Sequence, residues 1–384
     1  EDELYVDKAL AFGVASSAGA WGIVGDALAD VLRRTGMGPT IKWVDDYLLL
    51  RVRARDLPGI NAQPAQRLCG SVPPPPFPSR DNEWAYSLAD VDAVCAPLGI
   101  PWSPEKEQAF SGTVFFVGVW SDIAAREISL ASDRVAKYLA ECRDWVDRAR
   151  HTKAQAQQLL GRLQFAAHAV PAGRPYLSGL VDFITLHELA EHRVPGRAHS
   201  DLVARRPNSR VRSDVLWWMQ ELERPRLARR FHNDLSLSDP GLYTEACDFG
   251  AGVVLGSSEA AYVFTTSWRT AGRDIMWAEA VGAELGMLHL IVAGFRDQRV
   301  VLYIDSTSVE GGLRRGRIRN AAANECIERF LHSAAKHNLE FAPVRVDTYN
   351  NPADAPSRGA DAERPPLPHL ALPSALHGLV RRVR

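Results

Sequence analysis

The stretch Leu242-Tyr243-Thr244-Glu245-Ala246-Cys247-Asp248-Phe249-Gly250-Ala251-Gly252-Val253-Val254-Leu255-Gly256 reads as two short strands separated by a polar turn. Apolar and β-branched runs continue the pattern: a third strand is expected at residues 261–265, a helix at 277–294 and a strand at 300–304. Helix signals then run through 320–337, and a further strand follows at 341–346. Three strands, then helix, strand, helix and strand, describe an α/β unit built on a mixed sheet, with bounds near 241–360. Residues 361–384 are rich in Pro and Arg and read as a loose tail.

Carboxylates recur at the ends of these elements. Glu245 lies on the first strand and Glu279 in the first helix. Asp305 follows the fourth strand in Tyr303-Ile304-Asp305-Ser306-Thr307, and Asp354 falls in Asn351-Pro352-Ala353-Asp354-Ala355. In a mixed sheet, acids so placed can converge at one edge. Four of them could hold two Mg²⁺ or Mn²⁺ ions and hydrolyse a phosphodiester, since oxygen ligands suit these hard cations. Each acid taken alone is equally a helix N-cap or a solvated turn residue.

Upstream, residues 131–240 are helical, clearest over 154–169, and carry an arginine-rich connector that includes Arg205, Arg206, Arg210 and Arg212. Residues 1–130 read as an α+β unit. A helix over 15–34, ended by Gly36 and Gly38, feeds the hairpin Ile41-Lys42-Trp43-Val44-Asp45-Asp46-Tyr47-Leu48-Leu49-Leu50. Four consecutive prolines mark 71–79 as a loop, 84–98 reads as helix, 114–120 as a strand and 127–130 as a second one. Asp45 and Asp46 are adjacent carboxylates between apolar strands. They sit comfortably beside a divalent cation or, as turn formers, in water.

The order of these features resembles the palm of retroelement reverse transcriptases. The resemblance rests on Phe12-Gly13 before the helix, Trp43-Val44-Asp45-Asp46-Tyr47, Leu98-Gly99-Ile100-Pro101 with Lys106 downstream, and Phe116-Val117-Gly118-Val119. Gln157 to Leu163 and Pro171-Ala172-Gly173-Arg174-Pro175-Tyr176-Leu177 are similar to the helical stretch that follows the palm in DIRS-like and gypsy-like retrotransposons, most like those of fungi. The resemblance implies metal ligation by Asp45 and Asp46, and template or nucleotide contacts by Phe12, Gly13 and Lys106. A further palm aspartate, expected some tens of residues before Phe12, has no counterpart in this chain, so DNA synthesis by the chain alone is not expected. That segment could be supplied by a longer polyprotein.

The late acids, in their order and surroundings, resemble ribonuclease H. The resemblance implies that Glu245, Glu279, Asp305 and Asp354 are the metal ligands, with two ions per site. Glu245 stands where the family has Asp, and Asp248 is the alternative first ligand. Arg314, Arg315, Arg317 and Arg319 follow Asp305 and could contact phosphates, or form an ordinary solvated charge run. The expected whole is a palm fragment, a helical thumb or connection region and a ribonuclease H-like domain, which acts on an RNA–DNA hybrid or a template–primer duplex. The rival is an inactive retroelement remnant or a nucleic-acid-binding module.

Composition narrows the setting. Formal net charge is −1 with six Lys and 39 Arg, so any polyanion must be met by local patches. Five dispersed cysteines without a Cys-x-x-Cys pair fit a reducing compartment, cytoplasm or nucleus. No uninterrupted apolar run approaches membrane-spanning length, so no membrane partner is expected.

Overall fold

The structure is a computed structural model of the 384-residue chain and describes residues 15–56, 84–100, 102–192, 203–230 and 235–383. Phe12, Gly13 and the prolines of 71–79 lie outside the described residues. The chain divides into two compact units, Glu1–Glu127 and Ile128–Arg384.

In the first unit, helix α1 (Ala15–Arg34) stops at Gly36, whose φ of 89° is cheap only for glycine. Strands β1 (Thr40–Trp43) and β2 (Asp46–Leu49) pair antiparallel, Trp43 opposite Asp46, around a two-residue turn. The hairpin is tied to α1 by Tyr47 Oη donating to Gly25 O at 2.8 Å, Lys42 Nζ to Gly22 O at 3.1 Å and Trp21 Nε1 to Val44 O at 3.1 Å. A side chain at Gly25 would meet Lys42 Nζ at 3.0 Å and Tyr47 Oη at 3.1 Å, so glycine lets the hairpin approach. Leu28, Leu32, Met37, Tyr86, Val91 and Cys95 form the core beneath.

Helix α2 (Leu88–Cys95) begins later than the expected residue 84, because Ser87 and Asp90 form a capping box there. The single strand expected over 114–120 is two, β3 (Thr113–Phe116) and β4 (Val119–Asp122), folded at Val117 and Gly118, both with positive φ. An unbroken β-branched and aromatic run hides a tight turn whose only local mark is one glycine.

Strand β5 (Glu127–Leu130) begins at the last residue of the first unit and continues into the second, where its Leu130 N–H reaches Leu227 O at 3.2 Å beside the later strand β6 (Ala228–Arg230). Between them run α3 (Ser132–Asp147), α4 (Lys153–Ala166), α5 (Ser178–His192) and α6 (Ser209–Leu222). Trp218 of α6 is fully buried, its ring so close to Gly173 that a Cβ there would lie 2.2 Å from it. Trp217 stacks on Tyr176 at 4.0 Å. The paired tryptophans therefore anchor a helix.

The sheet contains β7 (Leu237–Ala246), β8 (Gly250–Leu255), β9 (Ser258–Phe264), β10 (Gln298–Ile304), β11 (Leu339–Arg345) and β12 (Val380–Arg382) in the order β11-β10-β7-β8-β9-β12. The β7, β8 and β9 neighbours are antiparallel, whereas β10 runs parallel to both β7 and β11, so the sheet is mixed as expected. Strand β7 starts five residues before the expected 242, and a register shift opposite Val300 and Leu302 lets the polar Ser-Asp-Pro-Gly segment join it. Helices α7 (Ile275–Val292), α8 (Thr307–Arg315), α9 (Ala321–Lys336) and the short α10 (Asp354–Ser357) complete the unit.

Among the described residues, α7 is the one helix long and apolar enough to cross a membrane by length and composition. It is apolar on nearly every side because most of it is buried against the sheet. The sequence shows no unbroken run there because Glu279, Glu284 and His289 interrupt it. The tail departs from expectation more sharply. Leu367, Leu370, Leu376 and Val380 are buried in the main core, and β12 pairs with β9.

Candidate metal centre

Glycines on α7 set the position of the acidic group. A Cβ on Gly286 would lie 2.4 Å from Thr244 Cγ2, and one on Gly282 would lie 3.2 Å from Glu245 O, so α7 rests almost on the backbone of β7. Glu279 sits one turn before Gly282 and is thereby carried to Glu245. Strand β10, parallel to β7, ends at Ile304 and delivers Asp305 to the same end of the sheet. Each of Glu245, Glu279 and Asp305 offers an oxygen, and the three oxygens lie within 4.8 Å of one another.

The environment resists three negative charges. Glu245 is only 5% exposed. Its carboxyl is pushed up to about 10, first by burial, then by hydrogen bonding with the Asp305 carboxyl and by the charges of Glu279, Asp305 and Asp354. Glu279 is pushed up to about 8 by burial and the Asp305 charge, against a lowering hydrogen bond from the Ala246 N–H. Neutral donors fix the geometry. Asn351 Nδ2 donates to Glu245 Oε2 at 2.8 Å and to Thr244 O at 3.1 Å, and Thr348 Oγ1 donates to Asp305 Oδ2 at 2.8 Å. Asp305 Oδ1 is buried, and no amide, hydroxyl or guanidinium donor reaches it among the described residues. Three converging carboxyl groups, one with a buried oxygen short of such donors, form the donor set a hard divalent cation takes.

The other expected residues fall outside this group. Asp354, at the start of α10, is held by Arg358 Nε at 2.9 and 3.0 Å, close enough for its charge to act on Glu245 but outside the three oxygens. Asp248 is exposed in the turn after β7 and pairs with Arg269. Of the two alternatives for the first position, Glu245 is the one in the group. Neither Asn351 nor Thr348 is a candidate from sequence, and the only mark of the former is its place three residues before Asp354.

Asp45 and Asp46 are exposed at the hairpin, and no third acid joins them among the described residues. Val44 beside them has a φ of 55°, a left-handed conformation that costs a β-branched residue free energy. Lys106 is exposed in a turn. Arg314 is engaged by Glu310 at 2.9 Å and by Pro343 O, Arg319 is exposed, and Arg315 and Arg317 border a cavity with Arg174.

No family model matches the chain, and no curated protein does. Among solved structures the chain is similar to one described as the foamy viral protease-reverse transcriptase dRH in complex with ds DNA, at 12% identity and a TM-score of 0.33. The match covers 85% of this chain and 49% of that one, so the chain spans about half the length of the structure it matches. The likeness is coarse.

Proposed function

We propose that the second unit cleaves the RNA strand of an RNA–DNA hybrid as a ribonuclease H-like, divalent-metal-dependent hydrolase. The observation that carries the reading is the convergence of Glu245, Glu279 and Asp305 from the first strand, first helix and fourth strand of one mixed sheet. Mg²⁺ or Mn²⁺ held by these three carboxylates would supply Lewis-acid polarisation of the scissile phosphate. The protein's own part is positioning. Asn351 and Thr348 each occupy one oxygen of a ligand, which orients the carboxylates and leaves the remaining oxygens for the cation. A second ion would draw on Asp354, which must first give up Arg358. For residues 1–130 the proposal is the palm fragment, supported by the acidic hairpin packed on a preceding helix and the strained Val44 at its tip.

The test is cleavage of a labelled RNA strand in an RNA–DNA hybrid with Mg²⁺ or Mn²⁺. The expected result is cleavage by the native chain and a loss on the order of 100-fold or more in Asp305→Asn, since displaced ligands cost rate steeply. A folded native chain that is inert with both metals sinks the reading. One observation favours the rival, a binding module without catalysis: the Arg358 clamp on Asp354. That reading expects hybrid binding with no cleavage in either protein.

A further inference from the structure

Away from the acidic group, the second unit contains a cavity of about 160 Å³ bordered by Arg174, Arg315, Arg317, His168 and Gln164. Its geometry follows from a helix terminus. Helix α8 ends at Gly316, whose φ of 74° and backbone N–H bonds to Gly312 O and Leu313 O form a left-handed cap, and Arg317 N then reaches back to Gly312 O at 3.0 Å. The cap reverses the chain between Arg315 and Arg317. It also makes room for the stem of Arg174, since a Cβ on Gly316 would lie 3.0 Å from Arg174 Cδ and 3.2 Å from its Cβ. The three arginines are thus brought to one concavity by a device that only glycine serves well.

The positive charge there is poorly compensated. Among the described residues, no carboxylate is in ion-pair contact with Arg174, Arg315 or Arg317. Asp182 acts on Arg317 but shares its charge with Arg210 and Arg319. Arg229, whose Nε donates to His168 O, lies close enough that burial and then the Arg174 charge hold its guanidinium below the ordinary arginine value, against the opposing charge of Glu340. The attraction of a helix C-terminus for cations accounts for basic residues in the last turn of α8, but Arg174 belongs to another segment. Three arginines bordering one solvent-open hollow, with room for an oxyanion and a few waters, suit phosphate recognition, although the Arg315 guanidinium lies back over Gly311 of its own helix.

We propose that this cavity is a phosphate-binding site that grips one backbone phosphodiester of a bound nucleic-acid duplex, which rests on the reading of the second unit as a nuclease for such a duplex. Arg174 and Arg317 supply the grip, Arg315 adds charge at the rim, and the site fixes where the duplex lies without reading its sequence.

The experiment measures binding of a fluorescent RNA–DNA hybrid to the full chain by anisotropy across a salt series, in EDTA so that the acidic group takes no part. Arg174→Ala and Arg317→Ala are each expected to weaken binding and to reduce the slope of log affinity against log salt by about one. Arg317→Lys should keep most of the slope, because the charge remains. Arg314→Ala, on the same helix but engaged elsewhere, should leave it unchanged. Circular dichroism melts confirm that each variant is folded. Unchanged slopes in Arg174→Ala and Arg317→Ala overturn the site, and an equal loss in Arg314→Ala overturns it in favour of a general basic field. Inorganic phosphate, titrated by ³¹P NMR, separates the sources: saturable binding lost in Arg317→Ala, with duplex binding intact, assigns the cavity to a small free anion and overturns the duplex proposal. Cleavage with Mn²⁺ is read separately, so an inert protein that still binds the hybrid through Arg174 and Arg317 refutes the nuclease and leaves the phosphate site standing.

Discussion

Glu245 and Glu279 couple stability to pH in the direction opposite to a salt-bridged carboxylate. Their folded values, about 10 and about 8, lie above the ordinary 4.5, so the folded protein binds more protons than the unfolded one between those limits. The stabilisation is complete below the ordinary value and is lost as pH rises through the folded ones. In EDTA, the melting temperature of the native chain should therefore fall as pH is raised from neutral toward 10, and Glu245→Gln should flatten that fall. Mn²⁺ should raise the melting temperature most at the alkaline end, where the ligands need no proton displaced. A native protein whose stability in EDTA rises over that range contradicts the linkage. At this scale the three acids that converge were legible in sequence because each lies at or near the end of an element, whereas Asp354, Asp248, Asp45 and Asp46, which look alike in sequence, stay outside the group. Asn351 was not, because its role depends on β7 lying beside a segment more than a hundred residues away in the chain.

Elements meet at glycines, and the packing there can be tested by adding one methyl group. A Cβ on Gly252 of β8 would lie 2.2 Å from Ala353 O and 2.7 Å from Ser357 N, so Gly252→Ala must push α10 off the sheet. Overpacking of this kind costs about 1–3 kcal/mol, readable as a lower urea midpoint with unchanged slope. The same displacement should move Asp354 and Asn351 and weaken Mn²⁺ binding, whereas Gly161→Ala, in open space on α4, should do neither. The strands and the two long helices over 250–345 were legible from periodicity to within a few residues, because the core imposes it, but helix α8 (Thr307–Arg315) was not, being short and rich in Gly and Arg. The turn at Val117-Gly118 and the early start of β7 were not, since one is set by positive φ and the other by a register shift against β10.

Across the whole molecule, composition misled most where proline and arginine were frequent. The segment read as a loose tail buries Leu367, Leu370, Leu376 and Val380 and closes one side of the sheet with β12. Each such side chain contributes roughly 1.5–3 kcal/mol on burial. Together they rival the whole stability of a typical domain, about 5–15 kcal/mol. A chain ending at residue 365 should lose cooperative urea unfolding and bind a hydrophobic dye, and retention of a native-like transition would show that β12 is dispensable. The opposite side of the sheet is finished differently. In β11, N–H and C=O of one residue point the same way, and at Pro343 the first is missing while the second is taken by Arg314. A strand from another copy therefore finds a gap in the ladder where it would dock, so the border that β12 does not cover is poorly suited to templating fibres.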